Sequence, residues 1–504
     1  MKTLSEQPAT AVRGGCGARL CDLSGATAQE VQADWAARSV KERLKVLRAA
    51  RHRLAERAEA FTEAISPRLA RSKADTLLTE VLPLLGACKF LEREAVRLLK
   101  PRKLGRRGRP VWLLGVQAEV HREPLGHVLV IGPANFPLLL AGAQTLQALA
   151  AGNSVTWKPG AGGFAVATLF AQALQEAGLP DGLLTITDES VEAAQRALAD
   201  GPDKVVFTGS SRTGQAVLAT LAQTATPAVV ELSGADAVVV TPLADLKRVA
   251  RAVTFGLRLN GGEVCMSPRR LFATASTLRA LRPLLEAELA KVPAVTLDAG
   301  TSARLNAMLE EAVSAGATVW SPAHADGEAV VMNGAPNRVT PIVVSGATPG
   351  MAVTRSDVFA PVISLIEAET MMHVPQMYAQ CPYALAVTVF CGKSETRKAM
   401  AVARTLKAGT VLINDVIAPT ADPRVPFGGR GASGYGVTRG AEGLLEMTAV
   451  KTLLVRRGGP MLHLDATTDA DAPMFAGVIG VLHGSSWSGR WKALRRVMKG
   501  ISRA

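Results

Sequence analysis

From His127 onward the chain alternates short apolar runs with helix-length stretches, and this alternation restricts it to a layered α/β architecture. Val128-Leu129-Val130-Ile131 is an apolar run closed by the turn Gly132-Pro133. The pattern then predicts a helix from about Leu138 to Ala150, a turn at Gly152-Asn153 and a strand from Ser154 to Trp157. A second helix is expected from Ala165 to Ala177, with Gly178 just past its end as a cap. Lys204 to Phe207 reads as the next strand and Gly214 to Leu221 as the next helix. Strands that are apolar on both sides and separated by helices form a largely parallel sheet covered on both faces.

The 504 residues suffice for two or three domains with buried cores. Before His127, Val31 to Leu54 and Leu77 to Leu99 have helical periodicity, the latter interrupted near Pro83 and Gly86. Pro110 to Val120, with Trp112, Leu114 and Val116 on one side, reads as a hairpin strand. Ala237 to Val240 opens a second α/β region that runs to roughly Ala418. Residues 419 to 440 read as a long ordered loop and Val450 to Val455 as a strand.

With 48% hydrophobic residues and 46 glycines, the composition is that of a compact enzyme rather than a disordered or fibrous chain. No apolar stretch reaches the length of a transmembrane span, about 18 residues or more. Met1 to Glu6 leads into no apolar signal core, so a cytoplasmic location is expected. The net charge is +14, with basic runs at Arg102 to Arg109 and Arg490 to Arg503. Neither is accompanied by zinc-finger spacing or base-stacking motifs, so nucleic-acid binding is not expected. The six cysteines are Cys16, Cys21, Cys88, Cys265, Cys381 and Cys391. They complete no metal-ligand spacing with histidine, and no metal site is expected.

Cys265 stands out because it follows Asn260-Gly261-Gly262-Glu263-Val264. A cysteine there is either a small buried hydrophobe or a nucleophile on a tight loop. Glu231 ends the apolar run Ala228-Val229-Val230, where a carboxylate either caps backbone groups or acts as a base with a pKa raised by burial. Asn135 follows Gly132-Pro133-Ala134 and either satisfies local backbone or donates to a developing oxyanion. Lys158, before Pro159-Gly160, is either a solvated charge or a grip for a ribose or phosphate. In Phe207-Thr208-Gly209-Ser210-Ser211-Arg212-Thr213-Gly214, a strand, a Gly-Ser turn and a helix start leave N–H groups free for a pyrophosphate.

Taken together these segments resemble the aldehyde dehydrogenase superfamily, over about residues 25 to 455. The resemblance rests on Gly132-Pro133-Ala134-Asn135-Phe136-Pro137, on Ala151 to Pro159 around Lys158, on Phe207-Thr208-Gly209-Ser210 with Gly214, and on Glu231-Leu232-Ser233-Gly234. It continues through Asp357-Val358-Phe359-Ala360-Pro361-Val362 and Pro426-Phe427-Gly428-Gly429 with Ser433, Gly434 and Gly436. Glu231 and Cys265 are 34 residues apart, the family's usual separation. The resemblance implies NAD(P)-dependent oxidation of an aldehyde through a thioester on Cys265, with Asn135 and the Cys265 N–H holding the oxyanion and Glu231 activating the hydrolytic water. It implies that Lys158 contacts the adenosine ribose, Gly209, Ser210 and Gly214 form the pyrophosphate turn, and Asp357 and Phe359 lie beside the nicotinamide ribose. The fold it implies has a Rossmann-type cofactor domain (1–109 and 126–233), an α/β catalytic domain (234–425) and a small β bridging element (110–125 and 450–455). Residues 426–449 return to the cofactor domain, and the bridging element pairs subunits into a homodimer or homotetramer.

Several positions depart from the family pattern. Glu263 replaces the usual Gln two residues before the nucleophile and would oppose thiol ionisation if it faced inward. Ala134 replaces an aromatic, Asp357 a glutamate and Ala360 a glycine. The carboxylate that favours NAD three residues after the lysine is Ala161 here, so NAD is expected with NADP admitted. A coenzyme A-acylating enzyme and a catalytically weakened binding scaffold are the rival readings, and the presence of Glu231 argues for hydrolysis. Residues 456–504 lie outside the resemblance. Their start, with Asp465, Asp469, Asp471 and Pro473, reads as loop. Trp487, Trp491, Leu494, Met498 and Ile501 then fall on one face of a basic helix. That helix either docks on protein or makes peripheral contact with an anionic membrane.

Overall fold

The computed structural model describes residues 27–69, 71–113, 115–322, 338–458, 461–464 and 466–501. Met1 to Glu6, Cys16, Cys21, Leu114, Asp465 and Arg503, named above, lie outside the described residues. The chain divides into two compact units. One holds the described residues up to Lys100 together with His121–Lys451, and the other holds Pro101–Val120 with the described residues from Thr452 on.

In the first unit, helices α1 (Ala28–Ala37) and α2 (Val40–Glu56) replace the single periodic stretch expected from Val31 to Leu54. Thr27 with Glu30 and Ser39 with Glu42 form reciprocal capping boxes, so Ser39 starts a new helix rather than continuing the old one. Helix α3 (Leu82–Leu98) directly follows a π-helical turn, Leu77–Val81. The interruption expected near Pro83 takes the form of this π-helical turn, which ends two residues before the proline, while the helix runs unbroken through Gly86.

The first sheet contains β1 (His127–Ile131), β2 (Ser154–Lys158), β3 (Leu184–Ile186), β4 (Lys204–Gly209) and β5 (Ala228–Leu232). Helices α4 (Leu139–Ala151), α5 (Phe164–Glu176) and α6 (Ser211–Leu221) connect or flank them. The strand order is β5-β4-β1-β2-β3, all parallel, with the short strand Gly434–Tyr435 antiparallel on the β5 edge. The chain winds outward from β1 through β2 to β3, then returns to lay β4 and β5 on the other side. The order therefore reverses between β1 and β4. Crevices outside the carboxyl ends of strands at such a point are where open α/β sheets take ligands.

The second sheet is led by β6 (Asp236–Val240), which precedes helix α7 (Leu246–Arg258) and β7 (Pro268–Ala273). Among the described residues it has seven strands, parallel except for the edge strand Thr318–Trp320. Large apolar groups anchor both sheets. Trp157 is fully buried, with the Phe170 ring set edge-on at 5.3 Å.

A three-stranded sheet is ordered Arg102–Leu104, Val116–Pro124, Thr448–Arg456. The strand expected from Pro110 begins instead at Val116. Val111–Leu113 forms a tight 3-10 turn closed by the Leu113 N–H on the Pro110 carbonyl at 2.9 Å. In the second unit, helices α8 (Ala472–His483) and α9 (Trp487–Ile501) form a hairpin. The sequence pattern anticipated α9 but not α8. No helix among the described residues is long and apolar enough to cross a membrane.

Candidate active site

The segment after α7 coils back on itself. Asn260, Gly261 and Gly262 adopt φ values of 54°, 60° and 84°, three successive left-handed residues. Glycine takes this conformation without penalty, and a Cβ at Gly262 would lie 2.7 Å from the Ala360 carbonyl carbon. Asn260 is held there by its own side chain. Its Nδ2 donates to the Asn135 carbonyl at 2.7 Å, and its Oδ1 accepts from Arg71 Nε at 2.8 Å. The coil delivers Cys265, half-buried, with Sγ 3.8 Å from Oε1 of Glu231 on β5.

Glu231 is 2% exposed, and its other oxygen, Oε2, has no partner among the described residues. Burial pushes its carboxyl up to about 7, against the pull of the Arg439 guanidinium and the Cys265 thiol. Burial also drives the Cys265 thiol well above its ordinary range, helped by Glu231, Asp236 and Asp357. Glu263 takes no part in this. Its carboxylate pairs with Arg68 at 3.3 Å, which offsets its charge, although the residue also lines the cleft around Cys265.

Asn135 sits past the end of β1. Its Oδ1 accepts from the Phe136 N–H at 3.0 Å, and its Nδ2 donates to the Glu263 carbonyl at 2.9 Å. An amide nitrogen carries two hydrogens, so the second remains for the cleft that Asn135 lines. Beneath it lies a buried ion pair that the sequence reading missed. Arg71 and Glu80, 1% and 0% exposed, meet at 2.7 Å. Arg71 also donates to the Asn135 carbonyl and lies over the Phe136 ring at 5.0 Å. Glu80, in the π-helical turn, accepts from the N–H groups of Leu138 and Leu139 at 3.0 and 2.7 Å. Its one local signal is an acid inside the otherwise apolar run Leu77-Leu78-Thr79-Glu80-Val81-Leu82. Arg269, also missed, donates to the carbonyls of Gly262 and Ala360 and so ties the Cys265 loop to the Asp357–Ala360 segment.

Asn135, Gly209, Ser210, Glu231, Cys265 and Phe359 line one cleft of roughly 220 Å³. The other expected residues stand around it. Lys158 ends β2 opposite Ile131 and is 9% exposed, with burial lowering its pKa and Glu189 and Asp188 opposing that shift. Gly214 faces inward, where a Cβ would lie 2.4 Å from Leu232 Cδ2, so it lets α6 pack against β5. Asp357 bonds Ser233 and keeps a buried Oδ1 with no partner among the described residues. Ser210 caps α6, its Oγ accepting from the Thr213 N–H at 3.3 Å. Backbones close the floor of the crevice, since a Cβ at Gly160 would meet the Pro133 carbonyl carbon at 2.4 Å. A helix N-terminus at the strand-order reversal, a buried lysine and an unpartnered carboxylate oxygen match the phosphates and ribose hydroxyls of a dinucleotide.

Residues 11–453 match the model of the aldehyde dehydrogenase family. The chain is 30% identical over 423 residues to a 4,4'-diapolycopene aldehyde oxidase of Methylomonas sp, covering 82% of this chain and 77% of that protein. It is similar to a solved NADP-dependent glyceraldehyde-3-phosphate dehydrogenase of Bacillus halodurans C-125, bound to NADP, with TM-score 0.75 and 27% identity over 86% of this chain and 90% of the other. It shares the fold of a Staphylococcus aureus betaine aldehyde dehydrogenase with NAD+ at TM-score 0.76 and 22% identity, covering 87% of this chain and 91% of that one.

Replacing Arg71 by Met strands the Glu80 carboxylate in the interior, a change that costs about 3–5 kcal/mol for buried pairs. Denaturant titration is expected to show a lower midpoint for Arg71→Met and partial recovery in Arg71→Met/Glu80→Gln. Equal midpoints for the parent and the single variant would rule out a structural role for the pair.

Proposed function

The chain belongs to the aldehyde dehydrogenase family, whose reaction is NAD(P)-dependent oxidation of an aldehyde through a cysteine thioester, and from that premise we propose that Cys265 is its nucleophile and Glu231 its base. The observation that carries this reading is the 3.8 Å approach of Cys265 Sγ to Glu231 Oε1 inside the cleft. Sγ adds to the aldehyde carbonyl while its proton passes to Oε1. The oxyanion formed is held by the Asn135 amide and the Cys265 backbone N–H. The bound dinucleotide supplies the acceptor for the hydride that leaves this carbon. Once that first proton has left Glu231 for solvent, its carboxylate takes a proton from the water that attacks the thioester; the C–S bond breaks, Sγ regains a proton, and the product is a carboxylic acid. Because Glu231 is present, water rather than coenzyme A takes the acyl group.

For the cofactor we assign Lys158 to the adenosine ribose, and Gly209, Ser210 and the α6 N-terminus to the pyrophosphate, with Gly214 allowing α6 to sit close enough. Asp357 and Phe359 serve the nicotinamide ribose. Arg269 links the loop that carries Asp357 and Ala360 to the loop that carries Cys265. NAD is favoured over NADP. Ala161 offers no carboxylate, but Glu189 stands at the same turn, accepting from the N–H groups of Gly162 and Phe164 at 2.8 and 2.6 Å, and its charge disfavours a 2′-phosphate. The mostly apolar wall of the cleft, with Ala134, Leu140 and Leu232, favours an apolar aldehyde, in keeping with the relative named for 4,4'-diapolycopene aldehyde.

We assign the cofactor domain to 1–109 and 126–233, the catalytic domain to 234–425 and the return segment to 426–449. The chain pairs into a homodimer or homotetramer through the edge strand Thr448–Arg456, which exposes Val450, Leu453, Leu454 and Val455. It works in the cytoplasm, binds no nucleic acid and touches an anionic membrane peripherally through its C-terminal helix.

With a carboxyl near 7, Glu231 is protonated and idle as a base below that pH. Steady-state kcat for aldehyde oxidation is therefore expected to fall about tenfold per unit below pH 7 and to level off above it. A flat profile from pH 5 to 8 would remove Glu231 from the rate-limiting step. Glu231→Gln removes both the acceptor for the thiol proton and the hydrolytic base, and is expected to give a slowed single burst of reduced cofactor and then to stall with the acyl group on the enzyme. Steady turnover at the parent rate would refute the assignment.

A further inference from the structure

The α8–α9 hairpin is packed inside out for a helix pair in water. Its contact face is made of small groups: a Cβ at Gly477 would meet Val497 Cγ2 at 2.9 Å, and one at Gly480 would meet Ala493 Cβ at 2.6 Å. Ala493 is 7% exposed. With the interface taken by Gly477, Gly480, Ala493 and Val497, the bulky apolar side chains are left outside. Phe475 and Ile479 on α8 are 43% and 61% exposed, and Trp487, Trp491 and Met498 on α9 are 61–80% exposed. In water two amphipathic helices bury their large residues against each other. Small residues between helices with large ones facing out is the arrangement helices adopt in lipid.

Charge points the same way. Residues 472–501 contain no Asp or Glu, and α8 carries no charged residue before its terminal His483. On α9, Trp487, Trp491, Leu494 and Met498 fall at steps of four, three and four, forming one stripe. Arg495, exposed, lies beside that stripe on the side away from Gly477 and Gly480; the exposed Lys492 follows further round, and the exposed Arg496 lies on the face opposite the stripe. At 12 and 15 residues, neither helix reaches across a hydrocarbon core about 30 Å thick, so both must lie in the plane of the surface. Tryptophans at the rim and cations beside them suit the headgroup layer.

We propose that both helices of the α8–α9 hairpin form a membrane-docking element whose partner is an anionic lipid bilayer, with Phe475 and Ile479 inserting alongside Trp487, Trp491 and Met498. This deepens the peripheral contact proposed above and rests on it. Docking concentrates the enzyme where apolar aldehydes partition.

The test is flotation of the full-length enzyme with vesicles of phosphatidylcholine alone or mixed with phosphatidylglycerol, alongside light scattering for oligomer mass. The parent is expected to float with the mixed vesicles only, and less at high salt. Phe475→Ser/Ile479→Ser and Trp487→Ser/Trp491→Ser are each expected to lower the partition coefficient at least tenfold, and Lys492→Glu/Arg495→Glu/Arg496→Glu to remove the preference for anionic lipid. All three variants should keep the parent turnover of a water-soluble aldehyde, which shows that they fold. If the parent floats with neither vesicle, peripheral contact and docking element fall together. If the parent floats and Phe475→Ser/Ile479→Ser floats equally, contact through α9 stands and the two-helix element is wrong. A smaller oligomer mass in the variants, without vesicle binding by the parent, would assign the face to a second copy of the chain.

Discussion

Glu231 and Cys265 are two acids that face each other in a place where neither ionises easily. Burial raises both, the carboxyl to about 7 and the thiol well beyond its ordinary range. In the proposed first step a proton passes from Sγ directly to Oε1, with no solvent relay between them. Proton transfer requires heavy atoms within about 2.6–3.2 Å, so the 3.8 Å separation must close by at least about 0.6 Å when substrate binds. That leaves little play for the loops that hold the pair. Buried arginines from three distant places fix them: Arg71 on the Asn135 carbonyl and Asn260, Arg269 on the carbonyls of Gly262 and Ala360, and Arg439 on the Thr420 carbonyl beside Glu231. Each gives at least one donor to a backbone carbonyl outside the long helices and the two sheets.

The fold brings the cofactor to this pair by strand order alone. Reversal between β1 and β4 opens the crevice, β1 runs out to Asn135, β4 runs out to Gly209 and Ser210, and β5 carries Glu231 beside them. The second sheet begins at Asp236, directly after β5, and returns Cys265 just before β7. Two sheets joined by a few residues thus place the thiol of Cys265 against the carboxyl of Glu231, and the glycine coil at 261–262 supplies the curvature.

Much of this was legible in the sequence because it is local. The buried parallel strands are unbroken apolar runs, and their ends coincide with Gly-Pro or Gly-Ser turns. Glu231 and Cys265 stand where an apolar strand or a glycine turn makes a polar group conspicuous. The Arg71–Glu80 pair was not legible, since its meaning lies in contacts with Asn135 and Asn260 far along the chain. Within its own segment Arg71 resembles the surface charges Arg68 and Lys73. Helix α8 was missed for the opposite reason. Apolar nearly throughout, it has no polar face to reveal a period, and Gly477 and Gly480 look like breakers until α9 is seen packed against them. Glu263 shows a third limit: spacing put a carboxylate near the thiol, but only the fold reveals Arg68 pairing with it.

The central claim is that the aldehyde carbon becomes bonded to Cys265. Acid-quenched mixtures of enzyme, aldehyde and NAD, digested and read by mass spectrometry, test it directly. The account predicts an acyl adduct on the peptide containing Cys265, formed only when the cofactor is present. An adduct on Cys88, Cys381 or Cys391, or turnover with no adduct on any cysteine, would contradict it.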